Sequence, residues 1–353
     1  MGANLYLEIK KQIEKEPPDH LFEDLALEVF AYQLSRCKSY SRQVEAQGNL
    51  HPKHWTKIPL ISTDLYKYTQ VFSADEKIVK TFRSSGTTQK DRSQHFLSQH
   101  ELDLYEASLW KTFSAAFDLE SGRKIKYLVL AEGPRLCPES SLNHMFETIR
   151  LRLQAEDTCY LIDSQGLRID RLTQALDQNP GTPALLVGTA FAFVYLLESG
   201  LKSLCLPAGS ALMETGGFKG LGRELTRKDL YRQLSKFFCL PEEAIVGQYG
   251  MSETGTQFYD TSFHSQSSSP HHRWKKTPPW CKTRILDPTD LNREVGVGEV
   301  GLIALYDLVN LDSCAFLLTG DLAILRSEGV FELIGRAPKI NLKGCSIRDE
   351  RRF

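Results

Sequence analysis

Two short runs of this 353-residue chain hold the residue types that phosphate chemistry needs. In Ser84-Ser85-Gly86-Thr87-Thr88 hydroxyls crowd around a glycine, so side-chain O–H and backbone N–H donors can converge on phosphate oxygens. The second run, Gln248-Tyr249-Gly250-Met251-Ser252-Glu253, sets an aromatic face beside a carboxylate suited to a hard cation such as Mg2+. Together they read as a nucleotide site. Downstream stand Leu318-Thr319-Gly320-Asp321 and Ile334-Gly335-Arg336-Ala337-Pro338, with Lys339, Lys343 and Gly344 close behind. Taken singly, Tyr249 is equally a core aromatic, Asp321 a turn residue and Arg336 a surface cation.

The elements that must position these residues follow from apolar spacing. Leu5, Ile9 and Ile13, then Leu21, Leu25 and Val29, recur at helical intervals on either side of Pro17-Pro18, which predicts a pair of packing helices. A β-like entry at 78–82 leads into the Ser/Thr-rich loop, and a helix is expected over 101–117. Short apolar runs at 126–131, 184–189, 211–215 and 244–248 alternate with helical patterns at 191–197 and 228–238. That alternation predicts an α/β domain with a largely parallel sheet. Gly216-Gly217 then falls at the C-terminal end of a strand, where a ligand approaches backbone in such sheets. Strand patterns at 301–305, 315–318 and 330–334 predict a small β lobe, giving an expected division into 1–280 and 281–353. The Ser-, His- and Pro-rich stretch 261–279 reads as an exposed loop; its His264, His271 and His272, even with Cys281, fit no zinc spacing.

Composition excludes several classes. With 41% hydrophobic and 25% charged residues the chain can bury an ordinary core. A formal charge of −1 leaves no surplus to neutralise a phosphate backbone, which argues against nucleic acid as a partner. No apolar run approaches the roughly 20 residues of a membrane span. The polar start Met1–Lys11 is unlike a signal peptide, so a cytoplasmic location is expected. The eight cysteines are scattered without close pairs, and most are expected to be reduced thiols.

In their order along the chain, the four motifs resemble those of the adenylate-forming superfamily of acyl-CoA synthetases, luciferases and peptide-synthetase adenylation domains. The resemblance implies that superfamily's large N-terminal domain, mixed and parallel sheets flanked by helices plus a small β lobe, with ATP and Mg2+ as cofactors. It assigns Ser84, Ser85, Gly86, Thr87 and Thr88 to the phosphates, with Thr87 and Thr88 as leading contacts. Thr215, Gly216 and Gly217 would line the adenine, on which Tyr249, flanked by Gln248 and Gly250, would pack. Ser252 would stand near the α-phosphate, Glu253 would ligate Mg2+, Asp321 would accept the ribose hydroxyls and Arg336 would lie near ribose and phosphate. Thr87, Ser252 and Arg336 are thereby catalytic candidates. Two departures stand out. Gln89-Lys90-Asp91-Arg92 replaces the usual Gly-x-Pro-Lys, and Pro338 occupies the hinge position, where it suits no swivel. With Phe353 as the last residue, the mobile C-terminal lid and its catalytic lysine are expected to be missing.

A narrower resemblance rests on Glu214–Gly220, Gly188-Thr189-Ala190-Phe191 and Lys343-Gly344-Cys345-Ser346, which look like LuxE-type acyl-protein synthetases, the fatty-acid-activating subunits of luminescence fatty-acid reductase complexes. It implies that Cys345 receives a fatty or other carboxylic acid from acyl-AMP as a thioester and passes it to a reductase partner. Lys339, Lys343 and Arg348 nearby in sequence would favour the thiolate, the nucleophilic form. The segments Phe191–Leu197 and Ser141–Phe146 are candidate acyl-chain contacts, though core packing explains both equally. Two other readings stay open: a ligase that hands the acyl group to coenzyme A, a carrier protein or an amine, and a catalytically silent nucleotide-binding subunit of a reductase complex. Assembly as a homo-oligomer is likewise open.

Overall fold

The four apolar runs are too short for helices and too uninterrupted for half-exposed strands, so they belong in a sheet covered on both faces. The computed structural model bears this out and describes residues 2–15, 20–85, 92–119, 124–154, 158–216, 226–264 and 273–337. Contacts gather the chain into two units. The first joins the chain up to Leu109 with Met251–Thr256 and the chain from Lys275 on, and the second comprises Trp110–Gly250 and Gln257–Trp274. This division departs from the expected 280/281 boundary, because the N-terminal segments pack on the C-terminal strands within one unit.

The first unit opens with helices α1 (Gly2–Lys15), α2 (His20–Arg36) and α3 (Lys38–Gln47), then strands β1 (Ile61–Ser62), β2 (Lys80–Arg83) and β3 (Gln94–Leu97). α1 buries Leu5, Ile9 and Ile13, the positions its periodicity marked. α3 stops at Gly48, whose φ of 76° is the left-handed conformation glycine adopts without strain. Helix α4 (Gln99–Phe117) begins in this unit and ends in the second.

The second unit then runs β4 (Lys126–Leu130), α5 (Ser141–Leu153), β5 (Cys159–Tyr160), the hairpin β6 (Ile162–Asp163) and β7 (Gly166–Leu167), and α6 (Ile169–Asp177). After these come β8 (Ala184–Thr189), α7 (Ala190–Leu197), β9 (Ala211–Thr215), α8 (Arg227–Phe238), β10 (Ile245–Tyr249) and β11 (Phe258–Tyr259). Its sheet has the order β11-β10-β9-β8-β4-β5, parallel except for β11. Two helix starts follow from threonine caps: Thr189 Oγ1 accepts from Ala192 N at 3.1 Å, and Thr226 Oγ1 from Asp229 N at 3.1 Å. Cys205 and Cys239 are disulfide-bonded, with Cα atoms 4.9 Å apart, while Cys37, Cys137, Cys159, Cys281 and Cys314 are free thiols, in keeping with the expectation that most are reduced. The bonds Leu204 N to Phe237 O and Leu206 N to Phe238 O lay the 204–206 segment along the end of α8, a closeness that a separation of 34 residues hides from the sequence.

The chain completes the first unit with β12 (Trp274–Lys276), β13 (Cys281–Asp287), β14 (Asp290–Glu294), β15 (Val300–Asp307), β16 (Phe316–Ser327) and β17 (Val330–Arg336). These form a sheet of order β12-β17-β16-β15-β13-β14, to which β1 adds itself in parallel along β16. At the heart of the other sheet Leu186 is fully buried and in register with Leu128 and Leu212. Leu186→Ala should cost about 2–5 kcal/mol of stability in denaturant unfolding, since the two flanking strands cannot close on the void.

Candidate functional site

In the second unit the expected residues meet at neighbouring strand ends. β9 and β10 are parallel, with Thr215 opposite Gln248, so both strands deliver their C-terminal residues to the same edge. Thr215 Oγ1 donates to Gln248 Oε1, and Gln248 Nε2 donates to Gln257 Oε1, an amide chain that sequence reading missed because Gln257 lies beyond the recognised run. A Cβ on Gly250 would stand 2.1 Å from Gln257 Oε1, so this chain is what requires glycine there. Gly216, with φ +89°, makes the left-handed turn after β9, and Arg227 Nη2 holds its carbonyl at 3.2 Å. Beneath it the fully buried Glu214 accepts from Tyr231 OH at 2.9 Å and pairs with Arg227 at 3.5 Å. Tyr249 is buried, its ring 5.9 Å from that of Phe258. On α7 Phe191 and Tyr195 are exposed while Phe193 and Leu196 are core; on α5 Met145 and Phe146 are core.

In the first unit the 84–93 segment joins β2 to β3. Ser84 N donates to Ser93 O at 3.1 Å, and Ser84 Oγ accepts from Ser93 N at 2.9 Å, closing the base of that loop. Ser85 is exposed. Gly86, Thr87, Thr88, Gly217 and Cys345 lie outside the described residues, as do His271, His272 and Pro338. Asp321 and Arg336 face each other across β16 and β17, with Arg336 Nη1 3.2 Å from Asp321 Oδ1. The register of these strands slips by one between Leu322↔Gly335 and Ala323↔Leu333, a bulge at Ile334 that Gly335 absorbs at φ +140° and that brings Arg336 opposite Asp321.

Ser252 and Glu253 sit on the segment 251–256 of the same unit, and its backbone is held at nearly every residue. His95 Nδ1 lies 2.8 Å from Ser252 O, and Asn310 Nδ2 donates to Glu253 O at 2.8 Å. Asp307 accepts from Gly255 N at 3.0 Å, Thr256 N at 2.8 Å and Thr256 Oγ1 at 2.7 Å. Trp280 Nε1 donates to the same threonine oxygen at 3.2 Å. Burial pushes the Asp307 carboxyl up, and the donors from Thr256, Val309 and Gly255 work against that rise. Glu253 is 8% exposed, yet its carboxylate takes no hydrogen bond or ion pair among the described residues, a state that suits a ligand for Mg2+.

Sequence reading also missed the buried pair beneath this segment. His95, 1% exposed, places Nε2 2.9 Å from Glu101 Oε1 and 3.0 Å from Ser313 Oγ. Glu101 takes further bonds from Ser313 Oγ at 2.5 Å and Asp312 N at 2.8 Å. Ser252 O is an acceptor, so Nδ1 donates to it, and opposite an ionised Glu101 the second ring nitrogen donates as well. Burial alone would lower the His95 pKa, but the bond and charge of Glu101, with the Ser252 carbonyl, hold it above its ordinary value.

The comparisons with known proteins place the fold in a class. A 2-hydroxyisobutyryl-CoA ligase holding 2-HIB-AMP and CoA matches with a TM-score of 0.67 over 93% of this chain and 70% of that one, at 16% identity. ATP-bound MatB from Rhodopseudomonas palustris matches at 0.53 over 75% of this chain, at 17% identity, and the chain spans 50% of that structure's length. The fold is that of the adenylate-forming enzymes. The model of the family described as acyl-protein synthetase, LuxE, matches residues 11–353, and the chain belongs to that family. It is thus an ATP-dependent ligase. The long-chain-fatty-acid–luciferin-component ligase of Aliivibrio fischeri is 22% identical over 353 residues, 94% of this chain and 88% of the relative. Among the described residues no helix is long and apolar enough to cross a membrane.

Two outcomes follow from this geometry. A Cβ on Gly255 would stand 2.2 Å from Val309 Cγ1, so Gly255→Ala should cost about 1–3 kcal/mol in denaturant unfolding. The stabilisation from the raised His95 pKa is fully present below 6.5, its ordinary value, and is lost as pH rises through the folded-state value. Melting temperatures measured across pH should therefore fall more steeply above pH 6.5 in the wild type than in His95→Gln.

Proposed function

We propose that this protein activates a fatty acid as its acyl-adenylate with Mg2+-ATP, then takes the acyl group onto its own Cys345 as a thioester for delivery to a partner acyl reductase. The observation that carries the first step is Glu253, a largely buried carboxylate on a tied-down backbone with no hydrogen bond or ion pair to it among the described residues. Membership of an acyl-protein synthetase family supports a protein thiol as acceptor, and the name of the Aliivibrio fischeri relative supports a long-chain fatty acid as substrate.

In the first half-reaction a carboxylate oxygen attacks the α-phosphorus, and pyrophosphate leaves with the electron pair of the broken P–O bond. A fatty carboxylate is already ionised at neutral pH, so this step needs no general base. The work is positioning and charge compensation. Ser84 to Thr88 take the terminal phosphates, and Ser252 stands at the α-phosphate. By the resemblance, Asp321, which pairs with Arg336, is assigned the ribose hydroxyls, and Tyr249 and Gly216 the adenine. Glu253 would hold Mg2+, which would supply positive charge to the phosphates. In the second half-reaction the Cys345 thiolate attacks the acyl carbonyl carbon, a C–S bond forms, and AMP leaves with the C–O bonding pair; the thiol proton goes to solvent.

The test is fatty-acid-dependent exchange of labelled pyrophosphate into ATP, run beside covalent labelling by radioactive fatty acid. Cys345→Ser should keep exchange and lose the label. Glu253→Gln should lower exchange by about a hundredfold. Undiminished label in Cys345→Ser would move the acceptor elsewhere, and the absence of exchange across short, long and aromatic acids would overturn the enzymatic reading.

A further inference from the structure

His95 does more than fill the space beneath the 251–256 segment. Ser252 O belongs to the peptide unit before the Cα of Glu253, and Glu253 O belongs to the unit after it. The first is held by His95 Nδ1 at 2.8 Å and the second by Asn310 Nδ2 at 2.8 Å. Because each peptide unit is a rigid plane, pinning both carbonyls fixes φ and ψ of Glu253 and hence the direction of its side chain. Asn310 is anchored by a second bond to Cys314 O at 3.1 Å. His95 is anchored from its other nitrogen by Glu101 and Ser313, and the Tyr66 ring meets it edge-on at 5.5 Å. Glu101 is itself fixed by Asp312 N and Ser313 Oγ, so the ring has no freedom to follow a moving loop.

We propose that His95 is a positioning residue for Mg2+-ATP: clamped by Glu101 and Ser313, it pins the Ser252 carbonyl and so sets where the Ser252 hydroxyl and the Glu253 carboxylate stand. The inference rests on reading Glu253 as the residue that meets the metal. His95 touches neither substrate nor metal; it acts through the peptide plane between Ser252 and Glu253.

Two near-isosteric variants separate this role from a merely structural one. In His95→Asn the amide nitrogen takes the place of Nδ1 and keeps the bond to Ser252 O, while the reach to Glu101 is lost. In His95→Gln the amide nitrogen takes the place of Nε2, keeping Glu101 and Ser313 but releasing Ser252 O. Both lose the charge. Binding of Mg2+-ATP is read from the ligand-induced rise in melting temperature, with metal-free ATP as the control, and the KM values for Mg2+-ATP and fatty acid from pyrophosphate exchange. His95→Gln should weaken Mg2+-ATP on the order of tenfold or more, as loss of one charge-assisted hydrogen bond implies. It should leave the KM for fatty acid and the affinity for metal-free ATP near wild type, and His95→Asn should recover most of the loss. Equal losses in both variants, tracking the melting temperature of the ligand-free protein, would overturn the proposal. Should neither variant fold, Asn310→Ser releases the other plane and should weaken Mg2+-ATP in the same selective way; unchanged affinity there overturns it too. Wild-type protein that binds Mg2+-ATP without exchanging pyrophosphate would refute the proposed reaction alone, whereas His95→Gln binding as wild type would refute this inference alone.

Discussion

Asp307 is a fully buried carboxyl with no ion-pair partner among the described residues, and much of the first unit follows from how its oxygens are satisfied. The carboxylate is fully buried, where an unpaired ion would cost several kcal/mol. It is met by the backbone N–H groups of Gly255, Thr256 and Val309 and by the Thr256 hydroxyl. That solution demands that 251–256 come back against the end of β15. It demands a glycine at 255, where Val309 leaves no room for a side chain. It also fixes the segment that carries Ser252 and Glu253 without using either side chain.

The same economy recurs on either side of Asp307. Gln33 spends its amide on the carbonyls of Asn310 and Leu311 and its oxygen on Ala315 N. Tyr32 and Ser98 donate to the two oxygens of Asp312, with burial and that carboxylate pushing the Tyr32 hydroxyl upward so that it stays a donor. Polar networks of this kind are costly when one member is missing and rigid when complete. Here they surround the turn between β15 and β16, so the stiffest polar part of the unit lies under the segment proposed to face the nucleotide.

Much of the framework could be read in the chain because it is written locally. The apolar runs at 126–131, 184–189, 211–215 and 244–248 are strands to within a residue at either end, since a doubly covered sheet leaves a continuous hydrophobic signature. The motifs that name Ser84, Tyr249, Glu253 and Asp321 are local in the same sense, each a run of a few consecutive residues. What escaped was whatever depends on distance along the chain. His95 reaches Ser252 across 157 residues and Asp307 reaches Thr256 across 51, and a lone histidine or aspartate carries no local sign of such a partner. The contact units differ from the 280/281 division for the same reason: β1 pairs with β16, and no periodicity announces a two-residue strand that joins a sheet more than 250 residues later.

That discontinuity orders events during synthesis. The second unit is described by a chain that is nearly continuous from Trp110 to Trp274, so its sheet can close while translation proceeds. The first unit has to wait. Tyr32 and Gln33 find their partners 277 to 282 residues further on, and until the turn after β15 leaves the ribosome α2 carries their unsatisfied polar groups beside its exposed apolar face. The nascent N-terminal helices therefore keep that apolar face open until the residues from Asn310 to Ala315 have been made.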